Sequence, residues 1–225
     1  MGGLLARAFL GLLFLLVVLA ASLFLPAGTL HYWQAWLFLA VFGVSVTAIT
    51  VYLAREDPQL LERRVYAGPV AERERSQRII QSLASLAFIA MFVVSGLDHR
   101  FAWSATPLFA VVVGDLLVAL GLLIVFFVFR ENTFTSGTIQ VDAGQRVVST
   151  GPYALVRHPM YSGALIMLVG VPLALGSWWG LLPIIPMILV IVWRLLAEEE
   201  YLARNLAGYR EYQWSTRYRL MPRVW

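Results

Sequence analysis

The residues best suited to chemistry lie in Gly151 to Gly163, GPYALVRHPMYSG, where a cationic polar segment runs into an apolar helix. Pro159 stands where that helix would begin. Proline suits the first helical position, because its missing N–H would be unpaired there anyway. Arg157, His158 and Tyr161 therefore meet at the mouth of a helix that continues as ALIMLVGVPLALG. A helix N-terminus presents free N–H groups and about half a positive charge. Beside Arg157 it makes a seat for a carboxylate or a phosphate. About 35 residues on come Arg194, Glu198 and Glu199. Arg194 and Glu198 are four apart and share a helix face. Glu198 and Glu199 point about 100° apart, so they cannot both meet one atom. Carboxylates on such a helix suit an ammonium group or a ribose diol.

Membrane helices must position these residues. The chain has 225 residues, 60% of them hydrophobic, and a mean hydropathy of +0.76. A soluble domain lies nearer half apolar. The length suits one membrane domain over 1–225, with its chemistry-bearing part in 130–225. Cysteine is absent, which excludes disulfides, thiolate nucleophiles and thiolate metal sites. With only three histidines, no metal site is expected. All 17 basic residues are arginine and they flank apolar spans. The basic balance is therefore read as membrane orientation, with the lipid bilayer as partner and no nucleic acid.

Six apolar spans are expected: Ala8–Leu25, Tyr32–Ala54, Ile79–Leu97, Pro107–Phe129 and a short hairpin of Met160–Gly176 and Trp178–Trp193. The first is too long for the apolar core of a signal peptide and is read as a retained helix. Pro172, Pro183 and Pro186 are expected to bend the hairpin. Asp57 followed by Pro58 reads as an N-cap and first-turn proline of a short amphipathic surface helix. Asp115, near the middle of span four, is read as a structural residue facing another helix. The connection from Arg130 to Arg157 is polar, glycine-bearing and partly β-like, and is expected to fold over the site, since irregular backbone beside a membrane must be buried or line a wet cavity. Asn132 there is a candidate substrate-side contact. The last span should continue as a cytosolic helix to a stop at Gly208. Tyr209, Tyr212, Trp214 and Tyr218 read as interfacial anchors. Six spans place sixteen of the seventeen arginines on the side of both termini, Arg100 alone opposite. The positive-inside rule makes that side cytoplasmic.

R-H-P-x-Y-x-G from Arg157 to Gly163, then R-x-x-x-E-E from Arg194, resembles the isoprenylcysteine carboxyl methyltransferase family. The closing GYREYQWSTRYRLMPRVW resembles that family's tail pattern of G-Y-x-x-Y and a late R-L-x-P, so the likeness runs from Asn132 to Trp225. It implies an all-α integral membrane methyltransferase using S-adenosylmethionine. The site residues it implies are Tyr153, Arg157, His158, Pro159, Tyr161, Gly163, Glu198 and Glu199 around the cofactor. Glu198 and Arg194 are the candidates nearest the chemistry. The family's eukaryotic members methylate a prenylated cysteine carboxylate and often have more spans. This short chain, with its N-T-F loop, looks more like a bacterial inner-membrane branch with diverse acceptors. A lipophilic acceptor arriving from the bilayer is implied. A carboxylate acceptor needs no general base, whereas a thiol or amine needs Glu198 or His158.

Two other classes compete. Nicotinamide-dependent membrane sterol and steroid reductases share the H-P-x-Y region, and the Arg194/Glu198/Glu199 group and small size favour methyl transfer over them. A transporter or scaffold would repeat polar residues at mid-membrane in several spans, and Asp115 stands alone there. No glycine-rich strand–turn–helix for a soluble-type nucleotide site occurs.

Overall fold

The computed structural model describes residues 2–65, 72 and 74–225. Eight α-helices are present among them: α1 Gly2–Ala27, α2 Trp33–Glu56, α3 Pro58–Val65, α4 Arg75–Phe101, α5 Leu108–Glu131, α6 Pro159–Ala174, α7 Ile184–Asn205 and α8 Tyr209–Ser215. Leu19 and Leu23 of α1, Phe38 of α2, Met91 and Phe92 of α4, Val118 of α5, Val171 of α6 and Met187 of α7 share one core. Large apolar side chains such as Phe14, Val44, Leu86 and Leu116 stay exposed around it, the pattern of a bundle that meets lipid. The protein is all-helical and integral to the membrane.

Where six spans are expected, the described residues hold five helices long and apolar enough to cross, plus α6. At 16 residues, α6 is about 24 Å long, short of the roughly 30 Å of hydrocarbon. Its position explains the shortness. α5 and α6 run antiparallel with their backbones nearly touching. A Cβ on Gly121 would come within 2.5 Å of the Gly163 carbonyl, and one on Gly114 within 2.1 Å of the Ala174 nitrogen. Such a small-residue seam lets membrane helices pack closely. With Gly163 opposite Gly121, Pro159 lies near the level of Val125, and α5 continues about 9 Å beyond it. The mouth of α6 is thus recessed.

Asp57 caps α3 as read, its Oδ1 accepting from the Leu60 N–H at 2.9 Å. Of the three prolines, only Pro172 lies well inside a helix. Pro183 precedes α7 and Pro186 stands in its first turn, where proline costs the helix little. The polar connection forms no strand among the described residues. Its carbonyls serve arginines of neighbouring helices instead: Arg63 donates to Thr133 and Arg194 to Gly137. Asp115 is buried on α5, and its carboxylate has no hydrogen-bond partner among the described residues.

Candidate functional site

His158 and Pro159 open α6 as the sequence suggests, and the C-terminal tail lies along them. The Arg157 and His158 N–H groups donate to the carbonyls of Tyr218 and Arg219, each at 2.9 Å. Ser162 Oγ donates to the Leu220 carbonyl at 2.7 Å. The Arg157 guanidinium is buried and engaged through Nε and Nη1. Its Nε meets Glu199 Oε1 at 2.6 Å, and Nη1 donates to the carbonyls of Thr216 and Arg217 at 2.8 and 2.9 Å. Glu199 also meets His158 Nε2 at 3.2 Å and Arg219 Nε at 2.9 Å. Buried charges persist when paired and hydrogen-bonded in this way. Glu199 therefore clamps the motif to the tail.

Glu198, one residue on, points elsewhere. Tyr161 donates its hydroxyl to Glu198 Oε2 at 2.8 Å and accepts from Arg194 Nε at 3.2 Å. Arg194 is further held by Glu72 at 2.8 Å, the Gln77 side chain at 3.1 Å and the Gly137 carbonyl at 2.9 Å. Tyr161 thus bridges the two residues that the four-residue spacing places on one face. Asn132 donates to the Tyr153 hydroxyl at 3.1 Å.

These groups surround a cavity of about 100 Å³. Its roof is the connection from Asn132 to Val148, and its walls include Tyr153, Arg157, His158, Pro159, Met160, Tyr161, Glu198, Tyr209 and Tyr212. The roof is strapped down from α3: Asp57 accepts from the Thr133 hydroxyl, and Arg63 pairs with Asp142 at 3.1 Å. Gly163 is not in the wall; it belongs to the α5–α6 seam. Arg194 and Glu199 stand behind the wall and hold residues that form it.

Tyr209 and Tyr212 correct the reading as interfacial anchors. Both are buried, and both line the cavity. Trp214, 84% exposed, and Tyr218 do stand at the surface. Burial pushes the Tyr212 phenol up to about 12 and raises Tyr153 and Tyr209 as well, so all three remain protonated donors at neutral pH. Tyr212 donates to the Tyr153 carbonyl at 2.8 Å. The Tyr209 hydroxyl is buried with no partner among the described residues.

On the other side of Pro159 lies an apolar groove of about 960 Å³ between α5, α6 and tail residues Leu220 to Pro222. Phe127, Leu165, Ile166 and Val169 line it, with Arg130, Glu131 and Ser162 as polar members. Sequence reasoning missed Glu72, Gln77, Arg63 and Arg219. They come from distant segments with no local pattern, and only the late R-L-x-P around Arg219 offered a signal.

No curated protein matches the chain. Residues 109–208 match the model of the phospholipid methyltransferase family, a stretch that holds α5, the roof, the helix mouth and the paired glutamates. By that match, the region carrying both motifs is similar to a membrane methyltransferase family of the isoprenylcysteine carboxyl methyltransferase type, in line with the resemblance in the sequence.

Proposed function

We propose that the protein transfers the S-methyl group of S-adenosylmethionine to a lipophilic acceptor at the membrane face. The observation that carries this reading is the roofed polar cavity that adjoins an apolar groove across Pro159. The two compartments suit a polar donor and an apolar acceptor. Two features of the wall fit the cofactor. Tyr209 offers a buried hydroxyl with no partner among the described residues. Glu198 has one oxygen without a hydrogen bond among the same residues, which suits an ammonium or a ribose diol. At about 100 Å³ the cavity is smaller than the roughly 300–1,000 Å³ of pockets that enclose small ligands. Admission therefore requires the Asn132–Val148 roof to move outward and then re-cover the ligand.

When bound, the cofactor supplies a methyl group already activated on a sulfonium. The chain's own task is to align the acceptor atom with it and exclude water. The roof excludes water, while Tyr161 and Arg194 hold Glu198 in place. A carboxylate acceptor attacks without losing a proton. For an amine or thiol, Glu198 or His158 is the available base, the latter through Nδ1, since Glu199 holds its Nε2. With six crossings, sixteen arginines would lie on the motif side, which supports reading that side, with both termini, as the cytoplasmic face of a bacterial inner membrane.

The test is titration of the purified protein in detergent with S-adenosylmethionine, S-adenosylhomocysteine and NADPH. Both sulfur compounds should bind. Glu198→Gln should weaken binding or turnover roughly ten- to a hundredfold, the loss of one charge-assisted hydrogen bond, with unchanged melting. Tight NADPH binding without a response to either sulfur compound would make this a reductase.

A further inference from the structure

Most cations around the cavity have carboxylate partners. Arg157 and Arg219 share Glu199, Arg194 has Glu72, and Arg63 has Asp142. Two arginines differ. Arg146 lines the cavity from the roof and is exposed. Arg64, on α3, is half-buried. Its Nη1 lies 3.9 Å from the Met160 sulfur, and its guanidinium carbon sits 5.1 Å from the centre of the Phe129 ring. No carboxylate pairs with it among the described residues. Residues 66–71 and 73, YAGPVA and Arg, include no carboxylate in their sequence.

A thioether and a ring are weak partners for a group with five N–H donors. Burial lowers the Arg64 guanidinium from its ordinary range. The nearby Tyr161 phenol opposes that shift, Arg194 adds to it, and Tyr153 opposes it again. Its contact with Met160, a wall residue, sets Arg64 directly behind the cavity wall rather than in it. A half-buried cation whose partners among the described residues are soft is costly until an oxyanion joins it. The planar guanidinium fork fits a carboxylate or phosphate through two parallel hydrogen bonds.

We propose that Arg64 is the oxyanion receptor of this site, holding a carboxylate or phosphate of the ligand bound there. The oxyanion has two sources: the α-carboxylate of S-adenosylmethionine, or the acidic headgroup of an amphiphilic acceptor. Only the first source rests on the function proposed above.

The experiment uses the full chain in neutral detergent and four probes. S-adenosylmethionine is set against its decarboxylated form, and dodecyl phosphate against dodecanol. If the cofactor is the source, the parent prefers S-adenosylmethionine about ten- to a hundredfold. R64Q and R64M then lose that preference and R64K keeps part of it. If the headgroup is the source, the same pattern appears in the dodecyl phosphate arm. R64M keeps an apolar stem against Met160 and Phe129 and preserves the fold, so a folding defect in R64Q leaves the test intact. Variants that keep the parent's preferences in full overturn the assignment, as does a parent with no preference in either arm. A parent blind to S-adenosylmethionine but selective for dodecyl phosphate through Arg64 would sink the methyl-transfer reading and leave the receptor standing.

Discussion

Polar clusters close both ends of the bundle, and they differ in how completely their hydrogen-bonding capacity is used. At the end away from the motif, Asp98 is 2% exposed. Its Oδ1 accepts from the Ser104 N–H at 2.7 Å, and its Oδ2 from the Ser104 hydroxyl at 2.6 Å and from Ser177. Thr106 and Tyr32 satisfy the carbonyls of Gly176 and Leu175, at 2.8 and 2.6 Å. This cluster ties α4 to the turn after α6 and engages both Asp98 oxygens, although Gln34 Oε1, on a side chain against Gly176, is buried without a partner among the described residues. The motif end contains an equally tight clamp at Glu199, but beside it stand the Tyr209 hydroxyl and Arg64, the first without a hydrogen-bond partner and the second with soft ones among the described residues. A saturated cluster fixes the packing of helices. An unsaturated one, beside a cavity, is what a ligand completes.

The sharpest test of that contrast lies inside the motif end, between its clamp and its open groups. Glu199→Gln removes the charge that holds buried Arg157. Breaking a buried ion pair from one side costs about 3–5 kcal/mol, with the half-buried Arg219 contributing less than its share. Melting in detergent should fall steeply, and S-adenosylmethionine binding should fall with it as the tail loosens from the motif. Parent-like melting would show that the clamp does not close this end. A smaller loss is expected at the other end. Asp98→Asn keeps the shape and removes the charge, for about 1.5–3 kcal/mol. Melting should drop while cofactor affinity per folded molecule stays at the parent's value. A changed affinity would mean that the two ends are coupled.

Much of this was legible in the sequence because it is local. Apolar length gives the long helices, Asp57-Pro58 gives the start of α3, and Pro159 gives the start of α6. The divergent pointing of Glu198 and Glu199 follows from helix geometry alone, and the structure sends them to Tyr161 and to Arg157. What failed depends on contact between distant segments. The roof was read as partly β-like, yet Arg63 and Arg194 take its carbonyls. Arg157 was read as an open anion seat, but Glu199 and the tail carbonyls, 42 to 60 residues away in sequence, occupy its guanidinium. Tyr209 and Tyr212 have the composition of interface anchors, and only packing against Val147 and Leu202 buries them. The glycine seam shows no pattern until α5 and α6 are aligned.

Tyr209→Phe separates the open groups from the clamp with a smaller effect. The hydroxyl is buried without a partner among the described residues, a state that costs about 1–3 kcal/mol. Removing it should leave melting unchanged or raise it slightly. Cofactor affinity should fall by up to about tenfold if the hydroxyl is completed by ligand. Isothermal titration of parent and variant decides this. A variant that binds as tightly as the parent would return Tyr209 to a purely packing role.

The smallest effect is expected at Arg204, which sets the baseline for the rest. It pairs with Glu200 one turn back on α7, and both side chains are mostly exposed, at 68% and 63%. An exposed pair of this spacing contributes about 0.3–0.5 kcal/mol, and salt screens it. Arg204 also lies two turns beyond Glu198 and is not in the cavity wall. Arg204→Ala should therefore change melting by no more than a degree or two, a shift that shrinks further in high salt, and should leave cofactor affinity and turnover at the parent's values. The charge removed equals that removed in Arg64→Gln. If Arg204→Ala weakened binding as much, the loss at Arg64 would reflect the overall positive field of the motif side. If only the Arg64 variant loses affinity, the position of the cation beside the cavity is what matters.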